Sequence, residues 1–101
     1  MEQNNKQDER KTVIVCESTV DISDSQELKN RFLSVLAEKT RVEIDAREVT
    51  RIDTSALQLF YSFTQALKQS SIEFSWLGAS EVFTNSAELL GIRDALGLAQ
   101  A

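Results

Sequence analysis

Histidine is missing from all 101 residues of this chain, glycine occurs three times and cysteine once. Without histidine there is no Ser-His or Cys-His nucleophile pair, no usual general base and little prospect of a zinc site. Three glycines (Gly78, Gly91 and Gly97) do not make a phosphate-cradling loop of the Walker or dinucleotide type. A lone Cys16 cannot form an intrachain disulfide, which fits a reducing compartment. No apolar run is long enough to span a bilayer and no signal-peptide pattern opens the chain, so a cytoplasmic location is expected. The net charge of −5, with dispersed Lys and Arg, disfavours nucleic acid and anionic membrane surfaces as partners. Carboxylates alone can do acid–base work, but nothing gathers them into a catalytic pair, so a non-enzymatic protein without cofactor or metal is expected.

What remains is one domain. Residues 1–11 carry no apolar side chain after Met1 and are expected to form a loose polar tail, leaving 12–101 as a single folded unit with one modest core. Thr12 to Cys16 is a β-branched run and predicts a strand. Asp24, with Glu27 three residues on, offers a capping box to a helix over Ser25 to Glu38, whose Leu28, Phe32, Val35 and Leu36 repeat at helical spacing. Val42 to Ala46 and Ile72 to Trp76 alternate apolar and polar residues, as strands with one packed and one wet face do. Fully covered parallel strands would be continuously apolar. An α/β fold is therefore expected, with a small mixed sheet of about four strands and helices mainly on one face. Ser80 can cap a further helix with Val82, Phe83, Ala87 and Leu90 inward, stopped at Gly91 before a last turn over Ile92 to Leu96.

The most informative stretch is Arg51-Ile52-Asp53-Thr54-Ser55-Ala56-Leu57, between a strand-like segment and a long helical pattern. Ala56, Phe60, Phe63 and Leu67 form a core stripe, while Leu57, Tyr61 and Thr64 form a neighbouring one that widens the apolar face. Leu57 and Tyr61 are thus either half-buried packing residues or anchors for a partner. Asp53, Thr54 and Ser55 suit the N-terminus of this helix as caps. Hydroxyls there also sit in a field that tolerates phosphate, so the segment is a cap, a phospho-switch or both. Asp21 follows the first strand and, in a βαβ arrangement, emerges at the same sheet edge as Thr54; on its own it reads as a solvated loop carboxylate or an Asx-turn acceptor. Asp45 at a strand end invites comparison with a phospho-accepting receiver aspartate. The acidic pair and the later lysine that such a site needs are missing. Cys16 and Trp76 are most simply core residues.

With these pieces in place, the chain resembles a STAS domain, the family that includes bacterial anti-sigma factor antagonists. The resemblance runs from Thr12 to Leu98. It rests on Val20-Asp21-Ile22, Val42-Glu43-Ile44-Asp45, Ile52-Asp53-Thr54-Ser55-Ala56-Leu57, Leu77-Gly78-Ala79-Ser80 and Leu89-Leu90-Gly91-Ile92. It implies a regulator that binds a partner kinase/anti-sigma factor reversibly, with Thr54 as phospho-acceptor and Asp21 in the partner surface, which Asp53 and Ser55 are expected to share. The mixed polar surface fits a monomer, and the Leu57–Tyr61 stripe equally fits a weak dimer. Ala56 stands where the family usually has glycine, and Ser18-Thr19 where it usually has Gly-Glu. A threonine at the switch position is also similar to two other groups: the small STAS subunit of a phospholipid-transport ABC system, and STAS proteins associated with chemotaxis components. In those settings Thr54 would be a constitutive contact or belong to another signalling complex.

Overall fold

The computed structural model describes residues 10–21, 23 and 25–98. Among these residues five strands and four helices follow in order: β1 (Lys11–Val15), β2 (Thr19–Val20), α1 (Ser25–Glu38), β3 (Arg41–Ala46), β4 (Arg51–Ile52), α2 (Thr54–Gln69), β5 (Phe74–Ala79), α3 (Glu81–Leu89) and α4 (Arg93–Leu96). The α/β class is the expected one. The strands divide into a three-stranded sheet of order β1-β3-β5 and a separate β2-β4 pair, and every pairing is parallel. Helical crossovers between successive main-sheet strands produce that direction. Of the expected polar tail, only Arg10 and Lys11 fall among the described residues, and Lys11 already opens β1.

Period-2 burial shows how the sheet is used. Ile14, Val42, Ile44 and Ala46 are buried on the helix side, whereas Val13, Val15, Ser75 and Leu77 are exposed on the other. One face therefore packs and the other meets water. The core centres on Phe60 of α2. Its ring meets Phe32 of α1 edge-on at 5.1 Å, Phe83 of α3 at 5.4 Å and Trp76 of β5 at 6.2 Å, while Phe63 stacks on Phe32 at 4.1 Å. Such edge-to-face pairs add about 0.5–1.5 kcal/mol each beyond burial. Trp76 is half-buried and donates its indole N–H to the Leu96 carbonyl at 2.9 Å, pinning α4 against the sheet.

Two expected positions shift for identifiable reasons. The strand anticipated over Ile72 to Trp76 starts at Phe74 and runs to Ala79. Ile72 instead closes α2: its N–H donates to the Leu67 carbonyl and that of Ser71 to Lys68, with Ser71 left-handed at φ 58°. This is the Schellman arrangement, and it takes Ile72 into the core outside the strand. Gly91 ends α3 in the same way at φ 74°, with Ile92 bonded back to Ala87. In α3, Ser80 caps as expected by accepting from Phe83 N–H, and Phe83 and Ala87 face inward. Val82 and Leu90, expected inward, are exposed, because the core-facing arc of this short helix is filled by Phe83 and Ala87. Asp24, the anticipated cap of α1, lies outside the described residues.

A bulge between Ile44 and Asp45 sets Gly78 opposite Asp45. Arg47 uses the space: its guanidinium donates to Asp45 Oδ1 and Oδ2 at 3.0 and 2.9 Å while its stem crosses Gly78. A Cβ on Gly78 would stand 2.6 Å from Arg47 Cγ. The side-chain and backbone hydrogen bonds from Arg47 hold the Asp45 carboxyl down at about 2. A carboxyl whose pKa falls on folding contributes stability above its unfolded value of about 3.9, and that contribution is lost as pH drops toward 2. Gly78→Ala should displace the Arg47 stem, return the Asp45 pKa toward the ordinary carboxylate range, and flatten the loss of stability between pH 4 and pH 2 relative to wild type. A carboxyl-carbon NMR titration with parallel acid unfolding checks both.

Candidate functional site

Two loops that are distant in sequence are joined by backbone bonds at the carboxyl ends of the strands. The Ser18 carbonyl accepts Thr50 N–H at 2.7 Å, Arg51 N–H at 3.1 Å and the Thr50 hydroxyl at 3.0 Å. Beyond it Thr19 pairs with Arg51 and Val20 with Ile52, and Asp53 N–H donates to the Val20 carbonyl at 3.2 Å. Three donors converging on one carbonyl, followed by a short ladder, fix the register of the two loops. Asp21 and Asp53 consequently leave the ladder side by side.

They line one cleft of about 270 Å³, together with Thr19, Arg51 and Val82 of α3. Val82 enters the site because it is turned away from the core. Asp21 shapes its own loop by accepting the Ser23 N–H at 3.0 Å and the Ser23 hydroxyl, an Asx turn as anticipated. Asp53 occupies the N-cap position of α2 with extended φ and ψ of −101° and 169°, and its carbonyl accepts Leu57 N–H. Its side chain does not cap the helix, contrary to expectation. The first-turn amides of a 16-residue helix are therefore left without a side-chain cap from that position.

Thr54 is the first residue of α2 and is exposed. Ser55 is half-buried and faces a different recess, a shallow groove shared with Ser25, Gln26 and Lys29 of α1. Tyr61, two turns along, keeps 38% of its surface exposed. Leu57 does not join this surface: it retains 1% and belongs to the core. The helix is flanked by α1 on one side and by α3 and α4 on the other, so its buried arc is wide enough to take in the second stripe. Buried Thr64 of that stripe donates its hydroxyl to the Tyr61 carbonyl at 3.0 Å. The structure thus brings Asp21 and Asp53 together, sets Thr54 next to Asp53 on the helix end, turns Ser55 into the groove with α1, leaves Tyr61 exposed on α2, and withdraws Leu57.

Chemically, the cleft offers two carboxylates and the Arg51 side chain, with the exposed Thr54 on the adjoining helix end. Among the described residues no cluster of three His, Cys, Asp or Glu is placed to hold a metal ion, and no helix is long and apolar enough to cross a membrane. The single thiol is poorly suited to reaction: burial, with the Asp45 charge adding to it, pushes Cys16 up to about 12. Sequence reasoning missed Arg51 and Val82 as site members. Arg51 lay inside the motif but drew no attention as one of several dispersed cations, and Val82 was assigned inward by its spacing.

A family model described as "Mlab, STAS domain" matches residues 4–99. The chain belongs to the STAS domain family. The comparison with curated proteins returned no match. STAS domains occur in anti-sigma factor antagonists and other regulators, and the family is generally non-enzymatic.

In this STAS domain, Leu57→Ala should cost about 2–5 kcal/mol of folding stability, the range for a fully buried leucine, whereas Tyr61→Ala should stay within about 1 kcal/mol. Urea unfolding of the two variants separates the core residue from the surface one.

Proposed function

We propose that this STAS domain is a non-enzymatic cytoplasmic regulator that binds a partner protein through the Asp21–Asp53 cleft and the start of α2, and that phosphorylation of Thr54 releases the partner. The observation that carries the reading is the exposed Thr54 hydroxyl on the first turn of α2, next to two carboxylate-bearing loops held in fixed register. A kinase can reach the hydroxyl without unfolding anything. A phosphate would bring about −1.5 to −2 charge to a helix N-terminus, where the dipole tolerates it, while adding to the negative charge of Asp21 and Asp53 toward any docked partner. Binding is then switched by charge at the contact surface, and the catalytic machinery and its ATP belong to the partner kinase, as the resemblance to anti-sigma factor antagonists implies.

A second reading has its own support. The matching family model carries the description "Mlab, STAS domain", and the threonine at position 54 resembles that of the small STAS subunit of a phospholipid-transport ABC system. In that setting the same surface is a permanent contact, Thr54 is part of it, and no phosphate is added.

Pull-downs from the source cytosol with wild type, Thr54→Ala and Thr54→Glu, each followed by intact-mass measurement of the bait, distinguish the two. Phospho-control requires a partner kept by wild type and Thr54→Ala but lost by Thr54→Glu, with phosphate mass on wild type alone. Equal recovery of one partner by all three baits, with no added mass, would overturn it in favour of the constitutive subunit.

A further inference from the structure

β1 is an edge strand of the main sheet, and its outer edge faces no other described strand. Its hydrogen-bonding parity follows from one contact: Cys16 N–H donates to Asp45 of β3 at 2.9 Å. In a strand, alternate residues direct N–H and C=O to opposite neighbours. The main-chain groups of Thr12, Ile14 and Cys16 therefore point to β3, and those of Val13 and Val15 point out of the sheet. The same odd-numbered residues present their side chains on the open face, where Val13 is 38% and Val15 53% exposed. Lys11 opens this row, and Glu17, two residues past the end of β1, continues its alternation; both are exposed. The row reads Lys11, Val13, Val15, Glu17.

That order is self-complementary. We propose that β1 pairs with β1 of a second copy of this chain, antiparallel, with Ile14 on the two-fold axis. In this register Val13 of one copy faces Val15 of the other, and Lys11 faces Glu17, each contact made twice by symmetry. The parity agrees, because Val13 and Val15 are the residues whose N–H and C=O are directed outward, and they become hydrogen-bonded partners. Centring the axis on Val13 would set Lys11 against Val15, and centring it on Val15 would set Val13 against Glu17. Only the Ile14 register joins both ion pairs and both valines. Lys11 already lies 3.2 Å from Glu43 but keeps 44% of its side chain exposed, so it can serve Glu17 of the second copy as well.

The inner side of the edge is suited to the same neighbour. A cavity of about 220 Å³ runs beneath β1, walled by Ile14, Cys16, Thr19, Leu28, Arg31 and Phe60. Val15 and Glu17 also line it, and no residue of β3 does. A strand added there places Thr12 of the second copy opposite Cys16, across the cavity. An edge that no described strand covers, flanked by exposed valines, is otherwise a liability that proteins avoid.

Sedimentation equilibrium of the full chain, from low micromolar to about 1 mM, tests the pairing. Wild type should be a reversible dimer at low ionic strength. Lys11→Glu and Glu17→Lys each convert two attractions into two repulsions and should each weaken the dimer roughly tenfold. The double variant K11E/E17K restores opposite charges in the Ile14 register alone and should return the dissociation constant to within about threefold of wild type. A monomer throughout, a dimer indifferent to the single changes, or a double variant no better than the singles would each overturn the proposal. None of these results depends on Thr54.

Discussion

The ring of Phe60 is the contact on which the rest of the structure depends. It lies in the middle of α2 and touches an aromatic ring from α1, from β5 and from α3, so one side chain ties three other elements to the central helix. Because it is fully buried, deleting it would leave a cavity bounded by side chains that cannot all collapse inward. Its function is also positional. Phe60 sits under two turns from Thr54, so the rigidity that it gives α2 is passed to the helix end where the exposed hydroxyl stands. The surface at that end can change in charge while the helix beneath it stays in place.

A second constraint is backbone chemistry. The Ser18 carbonyl gathers two amides and a hydroxyl from the Thr50–Arg51 segment, and a short parallel ladder continues from it to Asp53. These bonds make the Asp21 and Asp53 loops one surface. Core packing and loop register thus do different jobs: the first holds the helix, and the second brings the two carboxylates beside its N-terminus. Among the described residues no helix covers the opposite face of the sheet, which keeps its exposed valines and leaves room for a contact independent of the cleft.

Much of this was legible in the chain, and the failures are instructive. Phe32, Phe60, Phe63 and Leu67 follow helical spacing and are core residues. The alternation of Val42 to Ala46 correctly implied a sheet packed on one side. The βαβ order placed Asp21 at the same edge as the Asp53–Ser55 segment. Leu57 was misjudged because periodicity gives the direction of a side chain and not the number of neighbours packed around the helix; α1 on one flank and α3 with α4 on the other bury both stripes. Ile72 looked like the start of a strand, yet a left-handed Ser71 turned it into the hydrophobic closure of α2. The bonds to Ser18 left no trace in the pattern, since a carbonyl belongs to every residue alike. Arg51 and Val82 became site residues only through that loop register and through the orientation of α3.

The central claim is that charge added at Thr54 acts on the surface and leaves the α2 core undisturbed. Amide NMR spectra of wild type and Thr54→Glu, with hydrogen exchange on both, test it most directly. The account expects shifts confined to Ser18 through Asp21, to Thr50 through Gln58 and to the neighbourhood of Val82, with unchanged exchange protection at Phe60, Phe63 and Phe83. Loss of protection at those phenylalanines, or shifts spread through β3 and β5, would contradict it.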